Sequence, residues 1–183
     1  MRMETERLII RDYREDDWAS VHRYASSPLV AVHMLWGPNT EQETRSFLQQ
    51  TVAWQQESPR TEFELAVTLR DSGLLIGGCG LHAEDGKGEI GYCFHPDYWR
   101  QGYGSESAQA MLSLGFEQLK LHRIYATCRP GNTGSAKVME HVGMRYEGLL
   151  REHIRAKGRW HDSLLYAILD REFAERQGAT GNG

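Results

Sequence analysis

The spacing of apolar residues changes period along this chain, and each change marks a boundary. Leu8-Ile9-Ile10 opens a short strand that the charged run Arg14-Glu15-Asp16-Asp17 ends. Trp18, Val21, His22 and Tyr24-Ala25 follow at helical spacing, with Asp16 or Asp17 available as the cap. Pro28 interrupts that helix. Thr40-Glu41-Gln42-Glu43 then reads as a capping box, because a threonine followed three residues later by a glutamate can satisfy two free helix-start amides. The helix it starts carries Phe47, Leu48, Val52 and Trp54, and Ser58-Pro59 stops it.

From residue 63 onward the pattern is that of strands. Phe63 to Leu69, Leu74 to Leu81 and Glu89 to Phe94 are joined by the turns Arg70-Asp71-Ser72-Gly73 and Asp85-Gly86-Lys87-Gly88, which predicts an antiparallel meander. Beyond a glycine turn the period becomes helical. Ala108, Met111, Leu112, Gly115, Phe116 and Leu119 share one face of a helix of about five turns. His122 to Cys128 reads as a strand, and Pro130-Gly131-Asn132 turns into a short helix from Ser135 to Val142 that Gly143 ends. Two last strands surround Lys157-Gly158. The order predicts one α+β domain over residues 1–173, with residues 174–183 as a disordered tail.

Composition narrows the partners. The chain has 183 residues, 40% of them hydrophobic and 25% charged, which suits an ordinary globular domain. A net charge of −4 argues against nucleic acid or an anionic membrane as partner. Cys79, Cys93 and Cys128 form no CxxC pair, so they read as buried thiols rather than disulfides or zinc ligands. The eight histidines include no HExxH, and no metal is expected. With no apolar leader or membrane-length run, the expected location is the cytoplasm.

Candidate chemistry concentrates in Pro96-Asp97-Tyr98-Trp99-Arg100-Gln101-Gly102-Tyr103-Gly104-Ser105-Glu106, which joins a strand to the long helix. Two glycines at alternate positions let the backbone bend closely and expose N–H groups, and the helix start adds its own free donors and dipole. Such a turn holds a phosphate or pyrophosphate. A P-loop is excluded, since Gly86-Lys87 is followed by Gly88 and Leu81 stands in the first glycine position. A dinucleotide fold is also excluded: Gly78-Cys79-Gly80 leads into a strand, and the strand after Gly102-Tyr103-Gly104 ends in Cys128-Arg129 without the ribose-binding acid. No GxSxG is present to suggest a serine hydrolase.

The segment His95 to Glu106 resembles motif A of the GNAT acetyltransferases, and most closely that of the RimJ/RimL branch, whose Trp stands where Trp99 does. Glu4-Thr5-Glu6-Arg7-Leu8 resembles the branch's opening strand. Asn132-Thr133-Gly134-Ser135-Ala136 through Gly143-Met144 resembles its second CoA-contacting segment, and Gly158-Arg159-Trp160-His161-Asp162 with Tyr166 its closing hairpin. The resemblance implies the GNAT acyl-CoA fold, a mixed, mostly antiparallel sheet of six to seven strands flanked by about four helices.

It further implies an acetyl-CoA-dependent N-acetyltransferase acting on a primary amine by direct attack in a ternary complex. The acceptor would be a protein N-terminus, as in ribosomal-protein acetyltransferases, or a small amine, and the protein a monomer or homodimer. The alternatives are transfer to an aminoglycoside or polyamine, which a carboxylate-rich pocket would favour, and an acyl-CoA sensor without turnover. The backbone at Phe94 would pair with pantetheine, the amides of Gln101, Gly102, Tyr103, Gly104 and Ser105 would hold the pyrophosphate, and Asn132 would face the cofactor arm. Ser135 would give its proton to the CoA sulfur or hydrogen-bond it, unless it only caps the helix; Met139 stands where many relatives carry a tyrosine. The base position of the RimL pattern falls near Ile154, leaving Glu152, His153 or Glu89 as candidate bases. Trp36-Gly37-Pro38 lies in the loop before the second helix, which by the resemblance would shape the acceptor pocket.

Overall fold

The computed structural model describes residues 1–180. Eight strands form one sheet among the described residues: β1 (Arg2–Glu4), β2 (Leu8–Asp12), β3 (Glu62–Leu69), β4 (Leu75–Glu84), β5 (Lys87–Phe94), β6 (Arg123–Cys128), β7 (Arg145–Ala156) and β8 (Arg159–Leu169). Their order is β1-β2-β3-β4-β5-β6-β8-β7. Every pairing is antiparallel except β5 with β6. Six α-helices accompany them: α1 (Trp18–Ala25), α2 (Pro28–Ala31), α3 (Glu41–Trp54), α4 (Tyr103–Ser113), α5 (Thr133–His141) and α6 (Asp170–Thr180).

The mixed α+β class and the meander are as expected, while the counts of six to seven strands and about four helices are corrected. The added strand is β1, a short polar edge that lacks an apolar signal. The added helices are α2 and α6. Pro28 begins α2 rather than only interrupting, since its fixed φ and missing N–H suit a first helical position. The expected tail at residues 174–183 continues α6 through Thr180; residues 181–183 lie outside the described residues.

The capping box forms as read: Thr40 Oγ1 accepts from the Glu43 amide at 3.2 Å, and the Thr40 amide donates to Glu43 Oε2 at 2.7 Å. Asp17 does not cap α1 with its side chain. Its carboxylate takes Arg11 through two bonds of 2.7 and 2.8 Å and the Arg14 amide at 2.9 Å. That charge-assisted fork outweighs a single amide bond.

Two apolar layers sandwich the sheet. One face holds the larger core, with Leu65, Ile76, Leu81, Ile90, Ile124 and Ile168 packed under Ala108, Met111 and Leu112 of α4 and Met139 of α5. The helical face Ala108-Met111-Leu112 is fully buried as its spacing requires. The helix ends in a wide π turn, Leu114–Gln118, with the Leu119 amide reaching back to the Leu114 carbonyl. The opposite face is covered by α1 and α3 through Val21, Tyr24 and Leu48, joined by Tyr13 just after β2. Cys79 and Cys128 are buried, Cys93 partly so, and all three are free thiols.

Candidate active site

The parallel pairing of β5 and β6 lasts only from Lys87 to Glu89 against Arg123 to Tyr125. Both strands continue beyond it, to Phe94 and Cys128. A wedge therefore opens between Ile90–Phe94 and Ala126–Cys128. The His95 amide donates to the Ile76 carbonyl at 2.9 Å, and Phe94 stands opposite Gly77. By the alternation of an antiparallel ladder, the backbone groups of Tyr92 and Phe94 then face the wedge instead of β4. Trp99 Nε1 donates to the Phe94 carbonyl at 2.8 Å, which leaves the Phe94 amide as the free group there.

Two cavities meet in the wedge and share His33, Met34, Tyr92, Asn132 and Ser135. The larger, about 660 Å³, runs along the glycine turn and the start of α5. Gly102 caps α4 in the left-handed region, φ +84°, and no side chain caps the helix. Only at Glu106 does the first intrahelical bond of this turn appear, to the Gly102 carbonyl. The amides of Tyr103, Gly104 and Ser105 are thus left to a ligand. Arg100 and Lys137 flank the cavity, and no Asp or Glu lines it. Free helix-start donors, a positive dipole end and two cations make this chain's residues fit a pyrophosphate.

The turn is braced from far away in the sequence. Glu106 Oε1 accepts from Thr5 Oγ1 at 2.6 Å and the Arg7 amide at 2.8 Å, and Oε2 accepts from Arg7 Nε at 2.7 Å. Arg7 also donates to the Gln101 carbonyl at 2.9 Å and lies 4.6 Å from the Tyr103 ring centre. Burial opposes ionisation of Glu106, but these bonds prevail and hold its carboxyl below the usual range. The Gln101 side chain folds back along its own turn, donating to the Asp97 carbonyl at 2.7 Å.

At the wall shared by both cavities, Asn132 caps α5, its Oδ1 accepting from the Ser135 amide at 3.1 Å. The cap role is therefore filled, and the Ser135 hydroxyl is free for another contact: it lies 3.0 Å from Tyr92 Oη, which also donates to the Ser135 carbonyl at 3.0 Å. Burial pushes the Tyr92 phenol far above its ordinary value, so it stays protonated at any working pH. Its only proton goes to the carbonyl, and Ser135 is left to donate toward Tyr92 or toward a ligand. The sequence reading missed Tyr92, whose meeting with Ser135 spans 43 residues.

The smaller cavity, about 170 Å³, adds Leu35, Trp36, Ile90, Gly91 and Arg129, and again no carboxylate lines it. The loop carrying Trp36 is thus brought to the wedge, and Lys157 of the β7–β8 turn ties the hairpin to α2 by donating to the Ala31 carbonyl at 2.6 Å. Arg129 donates to Ser163 Oγ at 2.6 Å, and His153 Nδ1 lies 2.8 Å from that oxygen.

The candidate bases are not gathered here. Glu89 sits where β5 and β6 are still paired, lines neither cavity, and accepts from Tyr125 Oη at 3.3 Å. Glu152 is exposed with its amide bonded to Asp162 Oδ1 at 2.8 Å. The Asp162 and His161 side chains go separate ways, His161 to the Ala156 carbonyl at 3.0 Å. Among the described residues no cluster of three His, Cys, Asp or Glu suited to a metal occurs, and no helix is long and apolar enough to cross a membrane.

Known proteins share this architecture. The N-acetyltransferase YnaD of Bacillus subtilis, described as uncharacterized, is 38% identical over 175 residues, covering 94% of this chain and 99% of its own. The crystal structure of a GNAT-family acetyltransferase from Bacillus anthracis superposes with TM-score 0.83 at 39% identity, over 93% of this chain and 99% of that one. Mycobacterium smegmatis RimJ, solved with CoA-disulfide, shares the fold at TM-score 0.79 and 26% identity, over 95% and 89%. The acetyltransferase (GNAT) domain profile matches residues 7–145. The parted strands and the uncapped glycine turn are thus those of a GNAT N-acetyltransferase, the family to which this chain belongs.

Proposed function

We propose that this protein transfers the acetyl group of acetyl-CoA to a primary amine by direct attack in a ternary complex, the acceptor being a protein N-terminal α-amine or a small amine. The observation that carries the reading is the continuity of the two cavities at Tyr92 and Ser135. One cavity suits a pyrophosphate and its arm, the other a small organic group, and a hydroxyl stands where they join.

The amides of Gly102, Tyr103, Gly104 and Ser105 would hold the pyrophosphate, with the Gln101 carbonyl fixed by Arg7 so that the turn keeps its shape. The free Phe94 amide would pair with the pantetheine arm, and Asn132 would flank it. Attack of the amine nitrogen on the thioester carbon breaks the C–S bond, and the departing sulfur needs a hydrogen-bond donor. Ser135 fills that role, positioned by Tyr92.

The absence of any Asp or Glu from the lining of either cavity disfavours polycationic acceptors such as aminoglycosides and polyamines. Arg129 in the acceptor cavity points the same way, since it repels a second ammonium and suits the carbonyl or carboxylate beside an α-amine. The test is thiol release from acetyl-CoA across peptides with varied N-termini, amino acids, polyamines and aminoglycosides. Turnover with peptides or amino acids supports the reading. Turnover confined to polyamines or aminoglycosides refutes the acceptor class, and binding of acetyl-CoA without turnover on any amine refutes the transfer.

A further inference from the structure

Direct transfer consumes a neutral amine, yet an aliphatic ammonium is mostly protonated near pH 7. A carboxylate that accepts its proton must reach the acceptor side of the wedge, which is the face covered by α1 and the loop from His33 to Trp36. Register identifies the groups on that face. Glu64 on β3 stands opposite Gly80 on β4, and Gly80 opposite Gly91 on β5. Gly91 lines the acceptor cavity, and Glu64, which like Glu89 lines neither cavity itself, reaches that cavity only across this glycine.

This row is cleared of side chains. A Cβ at Gly80 would lie 2.6 and 2.9 Å from the two carboxylate oxygens of Glu64, so the carboxylate lies directly over that glycine. A Cβ at Gly91 would meet nothing within 4 Å. Among the described residues the Glu64 carboxylate makes no hydrogen bond or ion pair. An unpaired carboxylate facing a bare glycine floor is costly for the fold unless a ligand or water answers it.

We propose that Glu64 is the base that takes the acceptor's proton, across the open floor over Gly91 and through a water where direct contact falls short; the proposal rests on the acetyl-transfer reading above. The groups around it are Glu62 on its own strand, Cys79 and His82 on β4, Glu89 and Cys93 on β5, Tyr13 after β2 and Tyr24 on α1. Tyr13 and Tyr24 bond each other at 2.9 Å, and His82 is paired with Glu62. Cys93 is pushed up to about 12 by burial and stays a thiol. None of them gives Glu64 a cation. Burial, with the Glu62 charge second, raises its carboxyl to about 7, suited to accepting a proton at neutral pH. Glu89, by contrast, is already bonded by Tyr125.

The step balances without a further reactant. R–NH3+ gives one proton to the Glu64 carboxylate, and the nitrogen lone pair attacks the acetyl carbon. The C–S bond breaks, and the second nitrogen proton replaces the one Ser135 lends to the sulfur. The products are the amide and the thiol, and Glu64 returns its proton to solvent.

The experiment compares wild type, Glu64→Gln and Glu89→Gln with one accepted amine from pH 5.5 to 9.5, alongside acetyl-CoA affinity and melting temperature. In wild type, kcat/KM should fall about tenfold per pH unit below an apparent pKa near 7, where Glu64 is protonated. Glu64→Gln should bind acetyl-CoA normally, lose roughly 10²-fold or more at pH 7 and lose that limb. Its deficit should shrink as pH approaches the pKa of the amine, which then needs no base; a merely structural role would leave the deficit constant. The glutamine variant should also melt higher at pH 8 but not at pH 4, because a carboxyl raised on folding costs stability as pH climbs from its unfolded value through about 7. A retained limb in Glu64→Gln, or its loss in Glu89→Gln alone, overturns the assignment while leaving acetyl transfer intact. Absence of wild-type turnover refutes both.

Discussion

Arg7 and Glu106, 99 residues apart in sequence, are joined by a 2.7 Å ion pair at the foot of the glycine turn. The bond couples the first long strand of the sheet to the first turn of α4, and the same guanidinium holds the Gln101 carbonyl. Thr5 completes the clamp. The opening residues thus brace the glycine turn as a side-chain cap would, while leaving the amides at the start of α4 free.

Removing the Arg7 side chain should therefore loosen the turn and strip a partly buried carboxylate of its guanidinium partner, while the backbone amide at residue 7 still donates to it. Arg7→Ala is expected to cost about 1–3 kcal/mol of stability and to weaken CoA binding about tenfold or more, measured by thermal melting and calorimetry. Undiminished CoA affinity would show that the turn holds its shape unaided. The pH dependence has a definite sign. Glu106 is held below its usual range, so its contribution is complete above the ordinary carboxylate pKa and is lost as pH falls through the lower folded value. Melting from pH 6 to pH 2 should show wild type losing more stability than Glu106→Gln.

The hydroxyl pair predicts a split between binding and chemistry. Ser135→Ala should lower kcat by about 10- to 100-fold, with CoA affinity within a few-fold. Tyr92→Phe keeps the ring but frees the Ser135 carbonyl and hydroxyl, so a smaller loss in kcat is expected. The double variant should be little worse than Ser135→Ala alone if Tyr92 acts through the serine. Additive losses would mean that Tyr92 serves the reaction separately.

Gly104 tests the proposed pyrophosphate site directly. It is the second residue of α4, and a Cβ there would already stand 3.3 Å from Val138 Cγ2 on α5. Gly104→Trp should abolish CoA binding, seen as loss of the ligand-induced rise in melting temperature that wild type shows. A folded variant that still binds CoA with wild-type affinity would sink the assignment.

Local signals account for most of what the sequence made legible. The Thr40–Glu43 box, the buried stripe of α4 and the Lys157-Gly158 turn, with φ of +51° and +78°, each lie within a few residues and follow from short-range chemistry. The glycine turn was legible for the same reason. What was not legible is long-range. The Arg7–Glu106 clamp, the Tyr92–Ser135 pair and the Glu64–Gly80–Gly91 row depend on strand register and splay, which no spacing in the chain encodes. Proline misled the reading at residue 28 because the same missing N–H that breaks a helix interior also suits a helix start. The indole of Trp99, noted only as a branch feature, proves to fill the Phe94 carbonyl where the wedge opens.

One close approach lies beside the short pairing from which the wedge opens. Gly115, in the π turn after α4, faces Ile124 of β6, and a Cβ at Gly115 would collide with Ile124 Cδ1 and lie 3.3 Å from Leu81 and Leu121. Ile124 is fully buried and stands opposite Gly88 in the short β5–β6 pairing from which the strands diverge. Gly115→Ala should cost about 1–3 kcal/mol through overpacking, a fall of several degrees in melting temperature for a chain of this length. Because the strain falls on the hinge of the wedge, KM for acetyl-CoA should rise as well. Ile124→Val deletes the colliding methyl, so the double variant should recover most of both losses, whereas Ile124→Val alone should cost about 1 kcal/mol. Simple additivity of the two substitutions would show that the glycine is not needed for this contact.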